Sequence, residues 1–172
     1  MTLIEPEGGA VVRVRVASIN VDMVTEQPVI MLRSLDDPDD RRLVPIWIGQ
    51  YEATAILLAM RGERPPRPMT HDLFHDALVA CGWDIVAVEI TRLDGGTFFA
   101  SLRLLGPGGE LSLDSRPSDA VAMAARAGCP IFLEDAVLDE AGVVFEGAVD
   151  EEEEVEQFRE FLDHVDPADF LS

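Results

Sequence analysis

The chain has 172 residues and a net charge of −20, from 33 acidic side chains against 13 basic ones, and 48% of it is apolar. That length suits one compact domain and is tight for two, and the apolar share excludes a disordered chain. All 13 basic residues are arginine. The missing lysine excludes Schiff-base enzymes, lysine-bound pyridoxal phosphate and a P-loop.

Glu5 and Glu7 stand where a signal peptide would carry basic residues, and no apolar run follows, so a cytoplasmic protein is expected. No stretch approaches the ~18 apolar residues of a membrane span. Val12, Val14 and Val16 alternate with Arg13 and Arg15, the pattern of a half-buried strand. A second strand is predicted over Pro28 to Arg33. It is followed by the turn Asp36-Asp37-Pro38-Asp39-Asp40 and a third strand over Leu43 to Ile48, with Pro45 at an edge or bulge. The period then changes. Ala53, Ile56, Leu57 and Met60 predict a helix from Tyr51 to Arg61 that stops at Gly62. The proline-rich segment from Glu63 to Pro68 is a stiff loop. Thr70 is placed to cap a second helix ending at Cys81-Gly82. Strands over Ile85 to Thr91 and Thr97 to Leu105 flank Asp94-Gly95-Gly96, a hairpin signal. Gly106 to Gly109 turns the chain into Glu110 to Asp114. Pro117 then opens a third helix that ends at Gly128, before a short strand over Ile131 to Leu133. Cys81 and Cys129 match no metal or redox spacing and read as small, buried, reduced residues.

From Glu134 to Ser172 there are 15 acids and one base. Val155, Phe158, Leu162 and Val165 nevertheless form one helical stripe, so an amphipathic helix with Phe158 and Leu162 buried is predicted there. Strands grouped by hairpins, with helices between the groups, read as α+β: a single domain with a mixed, mostly antiparallel sheet, three body helices and a C-terminal acidic helix. The domain is expected over 1–137 and the acidic extension over 138–172.

Three blocks carry groups suited to chemistry. His71 and His75 share a helix face, but no glutamate follows the first as the H-E-x-x-H zinc motif requires. Asp72 falls in the first turn of its helix, a dipole partner or cap as readily as a ligand. In Asp114-Ser115-Arg116-Pro117-Ser118-Asp119 a strand end meets a helix start, where free N–H groups favour anions and Arg116 can grip phosphate. The same six residues can also satisfy one another, with Arg116 paired to an aspartate. Arg61, Arg64 and Arg67 stand before the helix that carries His71. They suit phosphate or the protein's own acids equally. Glu52 opens the first helix beside Gly49.

Ile48-Gly49 with Glu52-Ala53 and Ala55-Ile56, then Arg67-Pro68-Met69-Thr70-His71-Asp72-Leu73, then Asp114 to Ala120, resemble the bifunctional nuclease family over roughly Val11 to Val137. Ser115 and Val121 depart mildly from its pattern. The resemblance implies cleavage of RNA and DNA, and it suggests a homo-oligomer. On that reading His71, Asp72, Asp119 and Glu52 are catalytic. Arg67, Arg116 and Ser118 bind substrate, and Asp72, Asp114 and Asp119 hold a divalent cation. Oxygen ligands suit Mg²⁺ or Mn²⁺, and no organic cofactor is expected. The alternative is a non-catalytic module of the same fold that binds an anion, a nucleotide or a protein. The net charge favours that alternative, because nucleic-acid binders normally present a basic face.

Overall fold

In the computed structural model, which describes residues 10–144, the valine–arginine alternation forms strand β1 (Val11–Val21). The strand runs past Val16 through a bulge between Val16 and Ser18, and the bulge hides its second half from a strict alternation pattern. Next come β2 (Pro28–Ser34), β3 (Arg42–Trp47), β4 (Asp84–Asp94), β5 (Thr97–Gly106), β6 (Gly109–Ser115), β7 (Ile131–Glu134) and β8 (Val143–Val144). They form one sheet in the order β6-β5-β4-β7-β1-β2-β3-β8. Only the β4–β7 pair is parallel, so the sheet is mixed and mostly antiparallel, and the class is α+β. Pro45 sits on β3 beyond the two residues that β8 covers, at the open rim of the sheet. Gly95 and Gly96 both have positive φ, +54° and +79°, and close the β4–β5 hairpin in a two-residue turn that side chains would strain.

The three predicted helices are α1 (Gln50–Met60), α2 (Thr70–Ala80) and α3 (Pro117–Ala127). A fourth, α4 (Asp135–Ala141), was not predicted: it is seven residues long, and only Val137 and Leu138 are buried, too few to show a period. The expected domain boundary after 137 therefore falls inside a helix. The body continues beyond it, because β8 returns to pair with Arg42 and Leu43. The amphipathic helix expected around Phe158 and Leu162 lies outside the described residues.

α3 is the central helix. Ala120, Val121, Ala122, Met123 and Ala124 are all essentially inaccessible, packed against α1 and against β4 and β5. Alanines at the helix contact, including Ala53 of α1, let the backbones approach. Ile30, Leu32, Val44, Val88, Ile90, Leu102 and Leu104 supply the sheet side of this core. A smaller cluster of Val29, Met31 and Leu43, with Ala17, packs separately. α2 lies against α3 at the periphery, and Asp72 is its only buried residue. Cys129 is half-buried, its thiol pushed up to about 11 by burial, whereas Cys81 is exposed, contrary to expectation, at the C-terminal end of α2. Among the described residues no helix is long and apolar enough to cross a membrane.

Candidate active site

The third residue of each long helix is an acid: Glu52 in α1, Asp72 in α2 and Asp119 in α3. This is the position from which a side chain reaches back to its own helix start, and where the helix dipole favours negative charge. The three acids have different fates. Asp72 keeps the local role. Its Oδ2 accepts the Met69 N–H at 2.9 Å, so Asp72, and not Thr70, closes the start of α2. Its Oδ1 accepts Arg126 Nε at 2.7 Å. Burial alone would raise its pKa, but the Arg126 and Met69 bonds, with Arg64 acting at longer range, hold the carboxyl below the usual range.

Glu52 and Asp119 instead turn to one guanidinium. Arg116, the N-cap of α3, donates from Nε to Asp119 Oδ2 at 2.7 Å and from Nη2 to Glu52 Oε1 at 2.9 Å. His71, the second residue of α2, shares a 2.8 Å bond between its Nε2 and Asp119 Oδ1. The first turns of three helices, from three distant parts of the chain, thus meet in one bonded chain: Glu52, Arg116, Asp119, His71. Each helix start brings the positive end of its dipole to the same place, where it favours the negative charge of Glu52 and Asp119.

The close packing of the chain at Gly49 belongs to this arrangement. A Cβ at Gly49 would run into Oε2 of Glu52, so the glycine leaves room for that carboxylate to fold back over the start of α1.

Burial raises and Arg116, then His71, lower the pKa of Asp119, and the bonds prevail: its carboxyl sits below the usual range. Arg116 is held above its ordinary value by Asp119 first and then Glu52. Because Asp119 is ionised it only accepts, so the hydrogen of this bond is on Nε2 of His71. In the neutral tautomer that this bond selects, the lone pair is on Nδ1. Arg116 is 66% exposed at its side chain and uses two of its five N–H groups on the carboxylates. The remaining donors can meet a phosphate without breaking either pair. The segment does satisfy itself, then, but in doing so it aims the arginine and does not consume it.

His71, Arg116 and Asp119 line a cleft of about 560 Å³ together with Asp114 and Ser115. The other expected site residues lie elsewhere. Ser118 is buried at 7% exposure, on the same side of α3 as Ala122 and Arg126, and does not line the cleft. Arg67 is exposed in its loop and does not line it either. Arg61 pairs with Glu63 at 3.7 Å. His75 faces Asp76 at 3.4 Å and takes no part. The expected cation trio of Asp72, Asp114 and Asp119 is not assembled, because both oxygens of Asp72 are engaged elsewhere. Among the described residues no three His, Cys, Asp or Glu side chains are grouped to hold a metal. Between Glu52 and Asp119 the positive charge is a guanidinium, so the donor set does not fit a protein-held Mg²⁺ or Mn²⁺.

Arg126 was not singled out from the sequence. It is 6% exposed at its side chain, and besides Asp72 it donates to the carbonyl oxygens of Ala55 at 3.1 Å and Ala122 at 3.0 Å. One guanidinium thereby joins α1, α2 and α3. The available signal was a charged residue at i+4 and i+8 from Ala122 and Ser118, a helix stripe otherwise made of small residues, since a charge on a buried stripe needs partners.

A model of the bifunctional nuclease domain matches residues 32–146. An uncharacterized protein of Mycobacterium tuberculosis is 45% identical over 164 residues, covering 91% of this chain and 96% of that one. Bifunctional nuclease 1 of Oryza sativa subsp. indica is 31% identical over 105 residues, 59% of this chain and 31% of the plant protein. Bifunctional nuclease 1 of Arabidopsis thaliana is 29% identical over 107 residues, 60% of this chain and 32% of its own length. The chain therefore spans about a third of these plant relatives.

Proposed function

The chain belongs to the bifunctional nuclease domain family, and from that premise we propose that it hydrolyses phosphodiester bonds in RNA and DNA at the Glu52–Arg116–Asp119–His71 cluster. The observation that carries the proposal is the bonded chain itself. It supplies an oriented base and a phosphate grip in one cleft.

Arg116 binds the non-bridging phosphate oxygens through its unused N–H groups and neutralises charge as the phosphorus becomes five-coordinate. His71 takes a proton from the attacking water at Nδ1, while Asp119 holds the ring by Nε2 and stabilises the imidazolium that forms. The P–O bond to the sugar breaks, and the leaving oxygen takes its proton from solvent. Glu52 keeps the guanidinium in place. Because the nucleophile is water, the chemistry needs no ribose 2′-hydroxyl, and it suits both nucleic acids.

The test is cleavage of single-stranded RNA and DNA oligonucleotides by wild type and Arg116→Lys, purified in parallel. Lysine keeps the charge but loses the fork, so kcat/KM should fall by about 10- to 100-fold with the fold intact. Activity that persists in EDTA supports water activation by the His71–Asp119 pair. Activity lost in EDTA and restored by Mg²⁺ or Mn²⁺ points to a cation that enters with the substrate. Absence of turnover under every condition, with oligonucleotide binding retained, supports the non-catalytic module that the net charge favours. Self-association and a cytoplasmic location belong to the same proposal, and sedimentation of the full chain tests the first.

A further inference from the structure

The cleft has two unlike halves. One carries the reactive groups already described. The other is apolar: Phe74, Leu102, Leu113 and Met123 line it. Leu102 and Met123 are buried core residues that form its floor, whereas Phe74 is 41% exposed. Phe74 stands three residues after His71 on α2, one helical turn away and on the same side of the helix. Phe74 is a large aromatic ring left partly open in the same cleft as His71 and Arg116, on a helix that also exposes Leu73 and Val79.

We propose that this half of the cleft is a subsite for one unpaired nucleobase, which stacks on Phe74 while the adjoining phosphate sits on Arg116; the inference rests on the nuclease reading above. Three observations support the occupant. The cleft, of about 560 Å³ and broadly open to solvent, has room for one nucleotide. Its lining sets apolar side chains beside Arg116 and His71, with Asp114 and Asp119 among the polar groups, and a nucleotide is flat and apolar-faced at one end and anionic at the other. The separation of Phe74 from His71 by one helical turn is short enough for a single nucleotide to span. A paired base cannot reach the ring, because both its faces are covered in the duplex and it must leave the stack first. The subsite thus selects single strands and loops. It reads a π-face and a phosphate, not a sugar or a particular base edge, so it takes RNA and DNA alike with little sequence preference.

The experiment compares a single-stranded oligonucleotide with the same strand carrying one abasic residue beside the cleaved phosphate, and with its duplex. Wild type, Phe74→Ala and Phe74→Trp are used, with Leu73→Ala as an exposed neighbour outside the cleft. Phe74→Ala should raise KM about 10- to 100-fold, the range of a lost base–aromatic stack, with kcat nearly unchanged. Phe74→Trp and Leu73→Ala should resemble wild type. The abasic strand should cost wild type the same factor and cost Phe74→Ala nothing further, and the duplex should be cut poorly by all. Equal KM for Phe74→Ala and wild type, or equal cleavage of abasic and complete strands by wild type, overturns the base subsite while leaving the nuclease reading standing. If wild type cuts no strand, the nuclease reading fails. The added fluorescence of Phe74→Trp then decides the subsite alone: quenching by the complete strand and not by the abasic one supports it, and equal quenching or none overturns it.

Discussion

Asp119→Asn should lower kcat/KM for single-stranded RNA and DNA by about 1,000-fold while leaving the fold intact, since positioned acid–base catalysis contributes about 100- to 10,000-fold. The side chain keeps its shape, but each of its roles fails. Presenting its NH₂ to His71 forces the ring hydrogen from Nε2 to Nδ1, the atom that must take the water proton. Presenting its oxygen keeps the tautomer but removes the charge that stabilises the imidazolium. In either orientation Arg116 loses the nearer of its two anionic partners, the one bonded at 2.7 Å. Because Asp119 sits below the usual carboxylate range, it stays ionised down to acidic pH, so its own titration adds nothing to the deficit above about pH 5. Circular dichroism and melting on the same samples separate loss of chemistry from loss of structure. Equal cleavage by the two proteins would mean that Asp119 is not catalytic or that the activity is a contaminant.

The sequence told more about where the elements lie than about what their side chains do. Local signals located α1, α2 and α3 well because each combines a period with a stop or start residue: Gly62 and Gly82 after the first two, Pro117 at the head of the third. β1 was shortened because its bulge reverses the alternation, and α4 was missed because two buried residues make no pattern. The division of labour among the three first-turn acids was less legible. From sequence Glu52, Asp72 and Asp119 look equivalent; which one caps its own helix and which two reach for Arg116 depends on how α1 and α2 lie against α3. That packing turns on Arg126, and nothing local to Arg126 reveals that its partners are Asp72 and the carbonyl of Ala55. Ser118 fails for a related reason. A serine at a helix start reads as an anion ligand, yet the helix is buried on so many sides that its second residue faces the interior.

Arg126→Met should be the most destabilising single change at the junction of the helices, by roughly 3–5 kcal/mol at neutral pH, because it strands one member of a buried ion pair. Methionine fills much of the space, so the loss is mainly electrostatic. Asp72 keeps the Met69 N–H but loses its close charge, and the carbonyls of Ala55 and Ala122 lose a donor. The pH dependence fixes the cause. In wild type the folded Asp72 pKa lies below the unfolded value of 3.8, so the pair contributes stability above that value and loses it as pH falls through the folded pKa. Without Arg126, burial is left as the main influence and the folded pKa rises. The variant is then penalised while Asp72 is charged and relieved once it is protonated. The gap between the two proteins in denaturant midpoint should therefore be wide at pH 7 and narrow at about pH 3. Asp72→Asn combined with Arg126→Met should recover part of the loss at pH 7, since no buried charge remains. A midpoint for Arg126→Met equal to wild type at pH 7, or a gap that does not change with pH, overturns this account. The same variant links the core to the chemistry. Asp72 follows His71 directly on α2, and its tie to Arg126 is one of the contacts that hold that helix start against α3, where His71 stands 2.8 Å from Asp119. Cleavage should thus fall by more than the unfolded fraction explains, and Arg126→Lys, which keeps the charge, should restore part of it.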